Sequence, residues 1–242
     1  MYLFAGTQHT PGGLPPPAED PNTGGRGFHR FNVVDYAPLL RAALVNLDRW
    51  AKDGVSPPPS AVPRLSDLSA VPHESVEKVF TAIPGARFPA HIERPARLDF
   101  GVDWAHAPVL PPKVGARFAT VVSAVDADGN EVAGIRPVEL IVPRGTFTGW
   151  NPRHPDQGAP GDIMSMMGST LPFARTAEER AGAGDPRPSI AERYASRDDY
   201  LARVRAAAGA LVGARHMLAE DVDAVVERAA KRWDLFQAGL SA

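Results

Sequence analysis

Proline placement constrains the fold of this chain more than any other feature of its sequence. The 242 residues include 25 prolines, about twice the usual share of about 5%. Because proline lacks a backbone N–H and fixes φ, clusters of it interrupt helices and the interiors of sheets. The clusters therefore divide the chain into short segments. They lie at residues 11–21, 57–63, 84–95, 108–112 and 152–160.

The remaining composition fits a folded chain and excludes several classes of partner. With 44% hydrophobic and 22% charged residues, the chain can form one large domain or two small ones with apolar cores. The formal net charge of -2, with no Lys/Arg-rich run, provides no field that would capture nucleic acid. No apolar run approaches the ~20 residues that span a bilayer, and no basic leader follows Met1. We therefore expect neither a nucleic-acid nor a membrane partner, and a cytoplasmic location for the chain as given.

Hydrophobic periodicity predicts one helix from about Tyr36 to Lys52 and a helical C-terminal part from about Ser189 onward. Asp35 is the expected N-cap of the first helix, and Gly54 is its expected stop. We predict that each helix packs through its apolar stripe. The stripes are Leu39, Leu40, Ala43, Leu44, Leu47 and Trp50 in the first helix, then Leu201, Val204, Ala208 and Leu211, and finally Val222, Val225, Val226, Ala229, Trp233 and Phe236.

Two Val- and Ile-rich runs in the middle of the chain predict a β-hairpin. They are Arg117–Val125 and Glu131–Val142, joined by the turn residues 126–130. The turn also resembles a calcium loop, because acidic and amide residues alternate in it. However, Glu131 stands where such a loop needs glycine, and Pro137 stands where it needs a bidentate glutamate. We therefore favour a plain turn without metal.

Motifs for other chemistries are missing from the sequence. The chain has no cysteine, which excludes disulfides and thiol nucleophiles. It has no Gly-rich phosphate loop and no dinucleotide fingerprint. A zinc-binding His-Glu-x-x-His motif begins at His73 but ends in Glu77. We therefore expect no cofactor and no metal.

His9 is the one histidine whose setting suggests chemistry. It follows the apolar run Tyr2–Ala5, which is typical of a strand buried on both faces of a parallel sheet. Active groups of open α/β sheets gather where such strands end, and a histidine there can act as a general base. Spacing alone favours an ordinary loop histidine over this general base.

A second polar and aromatic cluster lies in a turn-rich segment at Trp150, Asn151, Arg153 and His154. Loops of this kind can line a pocket. In the simpler interpretation, which we favour, Trp150 packs at the edge of the core and Asn151 caps a turn before Pro152. Methionine side chains are flexible and often fill gaps between other side chains. We therefore predict that Met164, Met166 and Met167 have a packing role.

Stretches along most of the chain share motifs with one known family. In the N-terminal part they are Ala5-Gly6-Thr7-Gln8-His9, Asp35-Tyr36, Leu47-Asp48-Arg49-Trp50 and Pro57-Pro58-Pro59-Ser60. Further on they are Asp126 to Gly134, Thr148-Gly149-Trp150-Asn151, Leu171-Pro172-Phe173-Ala174-Arg175-Thr176 and Asp185-Pro186-Arg187-Pro188-Ser189-Ile190. Through these motifs the chain resembles the C-terminal half of a bacterial α/β-hydrolase-domain family with esterase-like members.

The resemblance implies an α/β fold class, a partial α/β-hydrolase-like fold. It would comprise a terminal core strand and helix, a β-hairpin region and a C-terminal helical pair. In such hydrolases the nucleophile and the acid precede the histidine along the chain. The resemblance thus makes His9 the catalytic histidine of an ester hydrolase, with Thr7, Gln8 and Trp150 as substrate-binding residues.

The nucleophile expected of this family has no counterpart in the sequence. The required Gly-x-Ser-x-Gly elbow is begun by Gly54-Val55-Ser56 and by Gly239-Leu240-Ser241, and neither completes it. Only eight residues precede His9. We therefore expect a truncated or split hydrolase that is inactive alone.

The resemblance also sets expectations for organisation and partners. We predict the last strand, His loop and last helix of the core in 1–82, a proline-rich and hairpin region in 83–160, and a helical region in 161–242. The expected partner is the upstream half of the same fold or another copy of the chain, with a small ester as substrate. A parent family member could be exported. The alternative is a non-catalytic binding or assembly module that pairs with another chain.

Overall fold

In the computed structural model, residues 1–239 are described, so Leu240 and Ser241 of the second incomplete elbow lie outside the described residues. Over this range the helices are α1 (Ala37–Asp53), α2 (His73–Thr81), α3 (Val138–Ile141), α4 (Ala177–Ala183), α5 (Ile190–Arg193), α6 (Arg197–Gly213) and α7 (Val222–Ala238). The strands are β1 (Ala70–Pro72), β2 (Ala96–Asp99), β3 (Lys113–Arg117), β4 (Val121–Ser123), β5 (Gly145–Thr148) and β6 (Ser169–Pro172). None of these helices has the length and apolar character that crossing a bilayer requires.

The strands form three separate antiparallel pairs, β1–β4, β2–β3 and β5–β6. In the best-buried pair, Gly145 lies opposite Pro172 and Thr148 opposite Ser169. Helices and small sheets are thus mixed along the chain, which confirms the predicted α/β class and agrees with a partial hydrolase fold.

The N-terminal apolar run is extended but does not form the predicted regular strand. Tyr2 and Phe4 make single parallel bridges to Ala61 and Ile135, and the amide of Ala5 donates to the Ile135 carbonyl at 3.0 Å. Of the run, Ala5 is buried whereas the residues before it are partly exposed. The expectation of a strand buried on both faces was wrong, because prolines on both sides of Ala61, and Pro137 just after Ile135, interrupt a continuing ladder.

Helix α1 begins and ends close to the predicted residues. Its N-cap position is Tyr36 rather than Asp35, although the Asp35 carboxylate accepts a hydrogen bond from the Ala37 amide at 3.0 Å. Gly54 ends the helix in the left-handed conformation at φ 69°, a geometry that glycine adopts without strain.

The predicted packing stripe of α1 was largely wrong. Leu39 is buried, but Leu40, Leu44, Leu47 and Trp50 are about half exposed. The buried face instead holds Pro38, Leu39, Ala42 and Asn46. Polar contacts fix this rotation, since the Asn46 amide donates to the Arg215 carbonyl at 2.7 Å and Arg41 pairs with Asp221 at 2.6 Å.

The predicted central hairpin is present at its turn and at the first pair, where Val125 and Glu131 form a single antiparallel bridge, but it was wrong beyond them. Strand β4 pairs with β1, and the second run turns into α3 after Pro137, because proline starts a helix readily but cannot continue a ladder. The turn itself is present: the Asp126 carboxylate accepts from the amides of Asp128 and Asn130, both at 3.0 Å. These bonds explain the alternating acidic and amide residues without a metal.

The C-terminal helices pack as the sequence predicts. Val204, Ala208 and Leu211 of α6 and Val225, Ala229 and Phe236 of α7 are buried. The largest apolar cluster also includes Leu39, Ile135 and Phe173, so it draws on all three predicted segments. The division of the chain into those segments stays a prediction.

Buried asparagines replace ladder hydrogen bonds around β5. Asn32 donates to the carbonyls of Gly6 and Thr148, and Asn130 donates to the Gly145 carbonyl while accepting from the Phe147 amide. Buried backbone groups must find partners. These side chains therefore let non-strand segments pack beside the small β5–β6 sheet.

His29 provides a pH-dependent contribution to stability. Burial, together with the positive charge of Arg87, lowers its pKa from 6.5 to about 4. Its contribution is complete above pH 6.5 and is lost as the pH falls through about 4, because the unfolded chain binds the proton first. We expect wild type to lose about 3 kcal/mol more than His29→Gln between pH 7 and pH 4, measured by urea unfolding. Equal losses in both proteins would contradict this.

Candidate functional site

The segment from Gly6 to His9 is fastened to three other parts of the fold. The Gly6 amide donates to the Glu131 carboxylate at 2.7 Å. The Thr7 hydroxyl donates to the Phe4 carbonyl at 2.8 Å, and the Gln8 side-chain oxygen accepts from the Gly168 amide at 2.9 Å. Thr7 and Gln8 thus bind backbone, and Gln8 is buried. His9, next in the chain, is exposed.

Gly149 also packs closely against the backbone of the histidine loop at Thr7. A Cβ at position 149 would lie 2.6 Å from the Thr7 carbonyl oxygen, closer than real Cβ contacts come. Only glycine therefore lets the end of β5 pass beside the histidine loop. At the far end of the loop, the Tyr36 hydroxyl donates to the His9 carbonyl at 2.5 Å.

His9 lies at an open cleft of about 750 Å³. Ser165, Asp20 and three methionines also line this cleft. The Asp20 carboxylate accepts from the Asn22 amide at 2.9 Å and from the Thr23 hydroxyl at 2.7 Å, and these bonds lower its pKa. No hydrogen bond joins the His9 ring to Ser165 or to Asp20. No serine, histidine and aspartate triad is therefore assembled here within residues 1–239.

Trp150 lies at a different cavity, an apolar pocket of about 310 Å³. Its ring meets Phe80 edge-on at 4.9 Å between centroids and Phe88 at 5.4 Å. Asn151, beside it, is buried and bonds to both backbone groups of His29. The structure thus places His9 and Trp150 at separate cavities. The side chains of Thr7 and Gln8 are hydrogen-bonded to the Phe4 carbonyl and the Gly168 amide.

Comparison with known families decides the affiliation. Residues 1–227 match the family described as an alpha/beta hydrolase domain. The chain belongs to this family. Neither a curated protein nor a solved structure gives a match. For this member of the α/β hydrolase domain family, membership shows a hydrolase-like relationship, and the roles of individual residues have to be argued from the site.

Sequence reasoning missed two residues of this hydrolase-family chain. Ser165 stands between methionines that were assigned to packing, and nothing in its spacing distinguishes it. Glu131 lay inside a predicted strand, yet it lines the apolar pocket that includes Trp150. Burial raises the pKa of Glu131, and such a shift inside a cavity is one mark of a functional group. No local pattern in the sequence indicated the enclosure of Glu131, because it depends on segments far apart in the chain.

The described part of the chain has no group of three or more His, Asp or Glu side chains that could hold a metal ion. Two exposed histidines instead pair singly with carboxylates, His91 with Asp162 at 2.7 Å and His106 with Asp103 at 2.9 Å.

Proposed function

We propose that this chain supplies His9 as the general base and acid of an esterase-type hydrolase, with the nucleophile and the acid coming from a second polypeptide. The observation that carries the proposal is the exposed His9 at an open cleft, on a loop fixed at Gly6, Thr7 and Gln8. A rigid support with a free reacting face is what a proton-transfer residue requires.

The chemistry follows from the proton that an imidazole can carry. A serine hydroxyl attacks the ester carbonyl carbon while His9 takes its proton, and His9 then gives that proton to the departing alcohol oxygen. Water, activated by the same ring, releases the acid and frees the serine. The substrate is a small ester, and the chain by itself is inactive. The proposed partner is the upstream half of the fold, and the proposed setting is the cytoplasm.

In this proposal Thr7 and Gln8, neither of which lines the cleft, serve the substrate site by positioning His9. Their side chains are already bonded to the Phe4 carbonyl and to the Gly168 amide, which supports a positioning role. Trp150 would bind the apolar part of a ligand in its own pocket.

A fluorophosphonate probe, which labels activated serines covalently, tests where the nucleophile lies. The full chain is treated alone and after co-expression with its upstream coding region, as wild type, His9→Ala and Ser165→Ala. We expect label on a serine of the co-expressed polypeptide, lost in His9→Ala and kept in Ser165→Ala. Label on Ser165 itself, or equal labelling in wild type and in His9→Ala, would overturn the proposal.

An assembly module is the second candidate, and the β2–β3 hairpin favours it. Strand β3 is exposed throughout, and the two strands form a sheet of their own. Large apolar side chains on and beside this hairpin face solvent, which marks interaction surfaces. They are Leu98, Val102, Trp104, Val109, Leu110, Val114 and Phe118. Edge pairing with a second copy of the chain would cover them.

Light scattering over a range of protein concentrations tests this alternative. We expect self-association in wild type that is lost in the double variant Trp104→Ser/Phe118→Ser. Leu65→Ser, at an apolar side chain that is 67% exposed outside the hairpin, is the matched control and should associate as wild type does. A wild-type protein that stays monomeric at all concentrations would remove self-assembly as the function of this surface.

A further inference from the structure

The apolar pocket beside Trp150 is built by well-packed parts of the fold. Helix α2 contributes Val76 and Phe80, strand β4 contributes Val122, and strand β5 contributes Phe147. Val76, Phe80 and Phe147 are buried, so the core forms the inner wall of the pocket, whereas Ile163 at its rim is exposed. Its volume of about 310 Å³ is at the lower end of the range of about 300–1,000 Å³ for small-molecule sites.

Glu131 is the one ionisable side chain among the residues of the described chain that line this pocket. Its carboxylate accepts from the Gly6 amide at 2.7 Å and is also hydrogen-bonded to Ser123. A carboxylate has about four acceptor positions, so these two bonds leave it able to accept another. Burial raises the pKa of Glu131, which reflects how far water is excluded from it.

Support of the Gly6 amide alone does not account for a carboxyl group at this place. A neutral amide or hydroxyl oxygen would satisfy the same backbone N–H, whereas a partly buried carboxylate such as that of Glu131 loses hydration that is costly to replace. Elsewhere in this core, neutral asparagine oxygens accept from backbone amides, Asn32 from Val34 and Asn130 from Phe147. The free acceptor positions of the Glu131 carboxylate instead leave it able to bind a donor inside the pocket.

We propose that this pocket is a ligand site, separate from the His9 cleft, for a small uncharged molecule with an aromatic body and one N–H or O–H donor. The aromatic body lies among Phe80, Phe88 and Trp150, whose rings offer edge-to-face contacts. The donor binds Glu131, which fixes the orientation of the ligand. One polar anchor in an apolar cavity is the usual pattern of a small-molecule site.

Binding of N-phenyl-1-naphthylamine, an uncharged aromatic amine that fluoresces in apolar surroundings, tests the proposal on the full chain at pH 8. Wild type should bind one equivalent saturably. Ile163→Trp, at the rim of the pocket, should weaken binding by at least about tenfold by filling it. Glu131→Gln should weaken it by about fivefold, because a neutral oxygen accepts less strongly than a carboxylate.

Ile141→Trp is the matched control, since Ile141 and Ile163 are equally exposed at 41% and Ile141 does not line the pocket. It should bind the dye as wild type does, and circular dichroism should show all variants folded. The proposal would be overturned if wild type showed no saturable binding, or if Ile163→Trp or Glu131→Gln bound the dye as wild type does. Equal loss of binding in both tryptophan variants would also overturn it. None of these outcomes depends on ester hydrolysis. A failure of the proposed ligand site can therefore be distinguished from a failure of the proposed role of His9.

Discussion

His9→Ala is expected to lower kcat/KM for ester hydrolysis by about 10²- to 10⁴-fold in the chain co-expressed with its upstream coding region. The ring is exposed at the cleft, and the loop is held through the Gly6 amide and the Gln8 side chain rather than through the ring. Removing the imidazole should therefore abolish proton transfer and leave the fold intact. Initial rates with p-nitrophenyl acetate and a thermal unfolding curve measure both parts.

His106→Ala is the control for this prediction. His106 is likewise exposed, and it pairs with Asp103 away from the cleft. It should keep full activity, and added imidazole should restore part of the rate in His9→Ala only, because free imidazole can occupy the vacated position. Full activity in His9→Ala would mean that this histidine does not transfer the proton.

Arg232→Met is expected to destabilise the chain by about 3–5 kcal/mol, the usual effect of breaking a buried ion pair from one side. Arg232 is 1% exposed and donates to the Glu139 carboxylate at 2.7 Å and to the Tyr200 hydroxyl at 3.1 Å. It thus joins α7 to α3 and α6. Without Arg232, the Glu139 carboxylate would be a buried charge with no cation beside it. The midpoint of unfolding should therefore shift to a lower urea concentration.

Two further variants separate pairing from packing. Glu139→Leu/Arg232→Met removes both charges and should regain most of the lost stability, since apolar replacement of a whole buried pair is often neutral. Arg197→Met breaks an exposed pair with Asp234 at 2.9 Å between α6 and α7, and its unfolding midpoint should hardly move. A double variant as unstable as Arg232→Met would show that Arg232 acts by packing.

The sequence predicts the helices of this fold well where a stripe has one possible partner. The stripes of α6 and α7 lie against each other, so their periodicity identifies the buried residues. The stripe of α1 misleads, because Asn46 turns inward to bond with the Arg215 carbonyl while Leu44 and Leu47 stay exposed. A count of apolar residues ignores the hydrogen bond that sets this rotation.

Sheet pairing and the second pocket could not be predicted for a related reason. The β5–β6 sheet depends on Arg187, which pairs with Asp185 and donates to the Thr146 hydroxyl and the Leu171 carbonyl. Such contacts join residues far apart in the chain and leave no local pattern. Glu131 likewise becomes partly buried only when separate segments close around it.

His9 shows how far sequence alone reaches at the site. Its place after an apolar run and the family motif both indicate it, and the structure puts it at a cleft. Neither signal fixes which hydroxyl it serves, because that depends on the position of a nucleophile relative to the ring. The distance between His9 and a reacting oxygen is a property of the assembled site.

Hydrolysis of p-nitrophenyl acetate by the purified chain, alone and co-expressed with its upstream coding region, tests the central claim most directly. The account predicts background rates for the chain alone and saturable hydrolysis for the co-expressed sample. Saturable hydrolysis by the isolated chain that is lost in His9→Ala would contradict it, because the nucleophile would then lie within this chain.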